Sequence, residues 1–294
     1  MMENLESNKT EIIPGAHLPE AQGKTGGNQP NIEQRILTYR FGNLQGIGAR
    51  DNQEDSFTFS NVFDENEISE KGALAVVADG MGGLRDGKLA SETAVSVIRQ
   101  DFMALDIAGN ISKQLNAIVR HAGEKVEQAV QGKGGCTVIA AVIYHDKLYY
   151  SSLGDSYFYL KRGEYLTRLN RFHNVLTDGL AELVEDGEMN PEDVLINDKP
   201  QALTEFLGKN PIKSIDCFAR PLKLRYGDVL LLCSDGVGGT LKEQAVFDAL
   251  CRETPAEMCA VIDEEIKSSQ RRYQDNYTAL VIQCVYPEQT GAEL

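Results

Sequence analysis

The chain has 294 residues, of which 42% are hydrophobic and 25% are charged, a composition that suits one large globular domain or two small ones. Its net charge of −15 and its pI near 4.8 argue against a nucleic-acid-binding protein, because neutralising phosphates requires an excess of Lys and Arg. The longest apolar runs, such as residues 138–144, are too short to span a bilayer, and the N-terminus does not read as a secretory signal, so we expect no membrane partner.

The cysteines indicate a reducing compartment. None of the six forms a CxxC pair, and most lie in apolar runs: Cys136, Cys217, Cys233, Cys251, Cys259 and Cys284. Buried thiols explain this pattern better than a disulfide framework or a zinc site. We therefore expect a cytoplasmic protein.

The composition along the chain predicts one domain with two tails. Residues 1–34 are rich in Glu, Asn, Gly, Pro and Gln and have little apolar periodicity, which predicts a flexible N-terminal tail. Residues 35–287 carry the periodic segments without an internal repeat or a low-complexity linker. Residues 288–294 are expected to be a loose C-terminal tail.

Strands and helices follow one another in the hydrophobic pattern. A strand is predicted to begin near residue 36, and further strands are predicted at residues 56–60, 73–78, 134–144, 148–153, 157–160, 214–220, 228–233 and 277–285. Apolar residues at three- and four-residue steps predict helices at residues 89–105, 111–130, 242–252 and 255–268, and residues 175–188 also look helical. Tight turns between several strands favour antiparallel pairing.

Residues 165–210 interrupt this strand pattern and are predicted to be mostly irregular. Two interpretations fit them equally well. The segment is either a flap beside a functional site or a plain surface insertion.

Acidic residues recur where predicted core strands end or begin. Asp79, Asp155 and Asp235 each follow an apolar run; Asp275 precedes the last run; and Glu54 and Asp55 precede the strand at 56–60. Unpaired carboxylates at the ends of core strands are costly, so these positions suggest a shared cation. Gly80 follows Asp79 and can turn its carbonyl onto a metal, while Gly82 and Gly83 let the backbone pass close by.

The donor types in this set favour hard divalent cations. All are oxygens, with no Cys or His at ligand spacing, which favours Mg²⁺ or Mn²⁺ over zinc. Two cations would neutralise several carboxylates and produce a hydroxide from a bridging water near neutral pH. Arg50, close to the acids, can hold a phosphate through two N–H groups. These parts together predict hydrolysis of a phosphomonoester.

The same residues carry a family resemblance. Six short motifs occur in order at residues 50–55 (RDNQED) and 79–83 (DGMGG), and at Gly135-Cys136-Thr137, Gly154-Asp155-Ser156, Ser234-Asp235-Gly236 and Asp275-Asn276. In this order, over about residues 36–286, the chain resembles the PPM family of metal-dependent protein phosphatases of the PP2C type, in its bacterial form.

The resemblance implies an α+β fold, a four-layer α-β-β-α sandwich of two antiparallel sheets flanked by helices. It implies that Asp79 bridges two Mn²⁺ or Mg²⁺ ions, that the carbonyl of Gly80 binds one of them, and that Asp235 and Asp275 bind the other. Glu54 and Asp55 would act directly or through water, and Asp155 matches the position of a third, weaker metal. Arg50 matches the phosphate-binding arginine.

Three positions depart from the family pattern. Met81 stands where many members have a histidine proposed as general acid, so metal-bound water or another group must protonate the leaving group. Methionine is common here in bacterial-type members, so no loss of activity is expected. Tyr157 stands where arginine is frequent, and Phe172-His173 stands where Asp-His is frequent; both concern substrate preference more than the metal core.

The leading hypothesis is a serine/threonine protein phosphatase that acts on phosphorylated proteins, opposes a protein kinase, and uses a hydroxide held between two divalent cations. A catalytically silent binding or sensing module is one alternative, although no core carboxylate is missing. A phosphomonoesterase for small molecules is another, because the substrate-facing segment carries no readable specificity.

Overall fold

The computed structural model describes residues 37–62, 64–81, 86–186 and 199–287, all within one compact unit of the chain. The two predicted tails, with their boundaries near residues 34 and 288, lie outside the described residues and stay predictions, as do the roles of Gly82 and Gly83. Within the described ranges, no helix is long and apolar enough to cross a membrane.

Thirteen strands are found in the described residues. In chain order they are β1 (Thr38–Gly46), β2 (Ser56–Ser60), β3 (Ala73–Ala78), β4 (Gly80–Met81), β5 (Gly135–Cys136), β6 (Val138–Tyr144), β7 (Lys147–Leu153), β8 (Tyr157–Arg162), β9 (Tyr165–Arg168), β10 (Asp216–Cys217), β11 (Leu222–Lys223), β12 (Val229–Cys233) and β13 (Tyr277–Val285).

Seven helices accompany them in the same part of the chain. They are α1 (Glu65–Lys71), α2 (Asp86–Phe102), α3 (Ile111–Val130), α4 (Val175–Asp186), α5 (Asp235–Gly238), α6 (Glu243–Ala249) and α7 (Pro255–Ser268). Two of the long helices, α3 and α7, begin at strong capping residues. The side chain of Asn110 accepts from the Lys113 N–H before α3, and Thr254 forms a capping box with Glu257 before α7.

Two antiparallel sheets form the centre of the fold. One has the order β1-β13-β12-β8-β9, and the other has the order β10-β7-β6-β3-β2, with β11 also paired to β7. β4 and β5 form a small separate ribbon, in which Gly80 lies opposite Cys136. All pairings within these sheets are antiparallel, as the short connections predicted.

Three apolar layers separate four layers of secondary structure. Because side chains alternate across a strand, Leu74 and Val76 of β3 pack toward α2 and α3, while Ala75 and Val77 pack between the sheets. The other sheet places Val281 of β13 in a third cluster with residues of α6 and α7. The predicted four-layer α-β-β-α sandwich is confirmed.

Three strand predictions were wrong in detail. The single strand predicted at residues 134–144 is divided at Thr137 into β5, which pairs with β4, and β6, which pairs with β3 and β7. Residues 165–168 form the edge strand β9, although this part of the chain was predicted to be irregular; the strand has little buried apolar surface to reveal it. The strand predicted at residues 214–220 is reduced to the two-residue β10, followed by β11, because only these short pieces pair with β7.

Candidate metal centre

The two sheets bring the predicted acidic residues to one cavity of about 510 Å³. Asp79 follows β3, Asp155 follows β7, Asp235 follows β12 and Asp275 precedes β13. Of the eight residues predicted for the site, seven line this cavity: Arg50, Glu54, Asp79, Gly80, Asp155, Asp235 and Asp275. Asp51, Asn52, Met81, Thr137, Leu203 and Asn276 complete its wall.

Asp55 is the exception, since it does not line the cavity. Its side chain is buried, and its Oδ2 accepts hydrogen bonds from Ser234 Oγ at 2.8 Å and from Thr278 Oγ1 at 2.7 Å. Its Oδ1 has no hydrogen-bond partner. Asp55 therefore joins the start of β2 to β12 and β13 behind the cavity, and it keeps one buried acceptor free.

Gly80 stands where only a glycine fits. A Cβ atom built on it would lie 2.3 Å from the carbonyl oxygen of Gly87 and 2.6 Å from that of Glu54. Both obstacles are backbone, so a side chain would push apart the start of α2 and the loop that carries Glu54. The missing side chain brings the backbone after Asp79 close to Glu54.

Burial and mutual repulsion make the carboxylates difficult to ionise together. Burial raises the pKa of Asp79 well above its usual range, and the neighbouring carboxylates of Asp55 and Asp235 raise it further. Burial and the neighbouring carboxylate of Asp275 also raise the pKa of Asp235. Burial likewise raises the pKa of Asp155 to about 6.

Arg50 supplies positive charge at the rim. Its Nη2 donates to Asp275 Oδ2 at 2.5 Å, and its side chain is 58% exposed. This hydrogen bond to Asp275 raises the pKa of the guanidinium group, which therefore stays protonated. Its remaining N–H groups make no hydrogen bond to the described residues and face solvent or a ligand.

Asn276 is a functional residue that sequence reasoning did not assign, although the Asp275-Asn276 motif contains it. It is buried, and its Oδ1 accepts from the backbone N–H of Glu54 at 2.8 Å. Its Nδ2 donates to the carbonyls of Ile47 at 2.8 Å and Asn52 at 2.9 Å. Asn276 thus fixes the loop of residues 47–54 beside Asp275.

Thr137 was also left without a role, although it ends the Gly135-Cys136-Thr137 motif. Its Oγ1 accepts from the Asp79 N–H at 3.1 Å and lies 2.7 Å from Ser156 Oγ. Its own N–H donates to the Asp79 carbonyl at 2.9 Å. Thr137 therefore holds the backbone of Asp79 in place and links it to the segment that carries Asp155.

The segment of residues 165–210 touches the cavity through Leu203, which is bridged to Asn174. Helix α4 occupies its first half, and residues 187–198 lie outside the described residues. Both interpretations of the segment, flap and surface insertion, stay predictions, and its residue Leu203 reaches the site.

The donor set fits hard divalent cations by its chemistry. The cavity is lined by six carboxylates: the five predicted ones of Glu54, Asp79, Asp155, Asp235 and Asp275, and that of Asp51. Asp55 Oδ1 lacks a donor, and Asp79 lies close enough to Asp55 and Asp235 for their negative charges to raise its pKa. A cation would relieve both conditions. Within the described ranges, no three acidic, histidine or cysteine side chains form a ready-made ligand cluster, so the fit concerns donor type and charge.

Comparison with known proteins agrees with this arrangement. The chain is 28% identical over 227 residues to a protein named serine/threonine phosphatase stp from Listeria innocua, covering 74% of this chain and 86% of that protein. It is 27% identical over 188 residues to protein phosphatase PhpP of Streptococcus pneumoniae, covering 62% of this chain and 74% of that protein.

Solved structures share the fold. The Mycobacterium tuberculosis serine/threonine phosphatase PstP/Ppp superposes with a TM-score of 0.68 at 24% identity, covering 85% of this chain and 100% of that one. A structure of the PstP catalytic domain in complex with two manganese ions gives 0.65 at 25% identity, covering 85% and 99%. The family described as protein phosphatase 2C matches residues 52–269. That is well over half of the chain, which therefore belongs to the protein phosphatase 2C family.

Proposed function

We propose that this chain removes phosphate from phosphoserine and phosphothreonine in proteins, with two divalent cations, Mn²⁺ or Mg²⁺, as cofactors. The observation that carries the proposal is the shared cavity, in which seven of the eight predicted residues meet. Relatives named as serine/threonine phosphatases, and a structural neighbour that contains two manganese ions, support it.

The cations would be held by the acidic wall of the cavity. Asp79, the Gly80 carbonyl, Glu54, Asp235 and Asp275 would hold them. Asp155 would serve a third, weaker site, and Asp55 would act from behind through water. When bound, the cations would neutralise these carboxylates and activate a water molecule for attack on phosphorus.

Arg50 would bind and orient the phosphate. One of its nitrogens is engaged by Asp275, which fixes the guanidinium group at the rim, and the others remain available for two parallel hydrogen bonds to phosphate oxygens. This contact exists in the bound substrate as well as in the transition state. Arg50 therefore contributes mainly to substrate affinity.

The leaving serine or threonine oxygen needs a proton that Met81 cannot donate. Met81 lines the cavity, and none of the described histidines, His121, His145 and His173, does so. Water in the cavity is therefore the proposed proton donor.

The first test is phosphate release from a phosphothreonine peptide by protein stripped of metal with a chelator, before and after Mn²⁺ is added. Release that requires Mn²⁺ is the expected result. Folded protein that releases no phosphate with any divalent metal would favour the silent binding module. A strong preference for an aryl phosphate or a small phosphoester over the peptide would favour a small-molecule phosphomonoesterase.

The proposed partners are phosphorylated proteins, and an opposing protein kinase must produce them. We also propose a cytoplasmic location. Its support is that all six cysteines are free thiols and that four of them, Cys136, Cys233, Cys259 and Cys284, are buried.

A further inference from the structure

A second groove, of about 380 Å³, adjoins the metal centre on the side of Arg50. One wall is the loop of residues 47–49, which leads directly into Arg50. The other wall contains Ile266, Lys267 and Arg271 from the end of α7 and the loop after it, and Gln274 lies next to Asp275. Both walls thus continue into residues of the phosphate cavity.

The groove combines an apolar surface with free positive charge. Ile47 is 45% exposed and offers an apolar contact on this wall. Arg271 contacts only Thr240, through hydrogen bonds of 3.4 and 3.5 Å, and no carboxylate of the described residues pairs with it. Lys267 contacts Asp263 at 2.6 Å but stays 67% exposed.

A further positive charge lies next to the groove. Arg272 lies over the ring of Tyr273, 5.2 Å from its centroid, and Tyr273 is 81% exposed. In a chain of net charge −15, Lys267, Arg271 and Arg272 therefore place three exposed cations beside the cavity that is lined by the predicted carboxylates. Asp263 offsets the charge of Lys267, so among the described residues Arg271 and Arg272 supply the unpaired positive charge that would attract an acidic ligand here.

We propose that this groove docks an acidic flank of the phosphoprotein substrate, the residues on one side of the phosphorylated Ser or Thr. The inference rests on the proposed function, because the phosphate itself must lie at Arg50. A substrate chain leaving that position across residues 47–49 would bring Asp or Glu side chains to Arg271 and Lys267 and an apolar side chain to Ile47. Acidic residues on the opposite flank of the phosphorylated residue would not increase the affinity.

The test compares phosphothreonine peptides with acidic residues on the N-terminal flank, on the C-terminal flank, or replaced by Gln. The expected result is a lower KM for one acidic flank only, with kcat unchanged, and a preference that shrinks as salt is added. Arg271→Gln should raise the KM for that peptide about two- to fivefold, which is the range for one solvent-exposed charge pair. Lys267→Gln should act in the same direction.

Two controls isolate the groove. Arg252→Gln removes an exposed cation elsewhere and should change nothing, and hydrolysis of an aryl phosphate, which has no flanks, should be the same in all variants. Equal KM values for the acidic and Gln peptides in the natural protein would overturn the proposal. An equal rise in KM for aryl phosphate in Arg271→Gln would overturn it too, because it would mean that the phosphate site itself had moved.

Equilibrium binding of the same peptides, followed by fluorescence anisotropy, separates this inference from the proposed function. Selective, Arg271-dependent binding without phosphate release would support the groove and contradict the phosphatase. Phosphate release without flank selectivity would support the phosphatase and contradict the groove.

Discussion

Replacing Asn276 by Ala should weaken metal binding without removing any metal ligand. The substitution deletes hydrogen bonds of 2.8, 2.8 and 2.9 Å to Glu54, Ile47 and Asn52. At roughly 1 kcal/mol of net stability each, the loss is about 3 kcal/mol, which corresponds to a fall in Tm of roughly 6–12 °C for a domain of this size.

The loss is concentrated in the loop that carries Arg50 and Glu54. Removal of a residue that orients metal ligands typically costs about 10–100-fold in metal affinity, so the Mn²⁺ concentration that gives half-maximal activity should rise about tenfold or more. Asn276→Asp keeps the shape of the side chain but sets an oxygen against the Ile47 and Asn52 carbonyls, and it should be no better than Ala.

Asn116→Ala is the matched control. Asn116 also makes two side-chain hydrogen bonds, to Ser151 and Cys217, but on α3 and away from the cavity. It should lower Tm while leaving the Mn²⁺ requirement unchanged. If thermal scans and Mn²⁺ titrations show the same metal requirement in both alanine variants, Asn276 is only a structural residue and the reasoning fails.

Three further predictions concern single side chains. Arg50→Ala should raise KM for a phosphothreonine peptide roughly ten- to hundredfold through loss of charge-assisted hydrogen bonds; steady-state kinetics showing a change confined to kcat would contradict this. Thr137→Val leaves the partly buried Asp79 N–H without its acceptor, at a cost of about 1 kcal/mol, so kcat should fall and Thr137→Ser should restore it. Burial lowers the pKa of His173 below its ordinary 6.5, and this effect is larger than the increase caused by the nearby carboxylate of Asp216. As pH falls, His173 is therefore protonated more readily in the unfolded chain than in the folded protein, and stability is lost below about pH 6.5. Measurements of Tm against pH should show a smaller decrease in Tm at acidic pH in His173→Gln.

Strong periodicity bounded by capping residues made some elements predictable to the residue. α3 and α7 begin and end where expected, because the apolar stripe runs from a capping Asn or Thr to the last buried turn. β13 also has the predicted bounds, because it is largely buried on both faces and only Thr278 and Gln283 interrupt its apolar run. The four-residue α5 was missed because its sequence, DGVG, has no periodicity and forms only where Ser234 leaves β12.

The candidate site, like the fold, could be predicted from the sequence only in part. The acidic residues at the ends of core strands could be recognised from the sequence, because a carboxylate next to a buried apolar strand is costly unless it has a function. The direction of each side chain could not: Glu54 lines the cavity while its neighbour Asp55 lies behind it, bonded to Ser234 and Thr278. Nor could the sequence reveal that Asn276 reaches three backbone groups of a loop more than 200 residues earlier, since that contact depends on the pairing of β1 with β13.

The most direct test of the account is Mn²⁺ binding by metal-stripped protein, measured by titration calorimetry together with phosphate release. The isosteric Asp79→Asn variant is compared with Asp248→Asn, which removes an exposed carboxylate on α6. The account predicts two Mn²⁺ ions per chain and turnover in the natural protein and in Asp248→Asn. In a folded Asp79→Asn variant it predicts weakened binding and no turnover. Near-normal Mn²⁺ binding and turnover in Asp79→Asn would contradict the proposed two-metal centre.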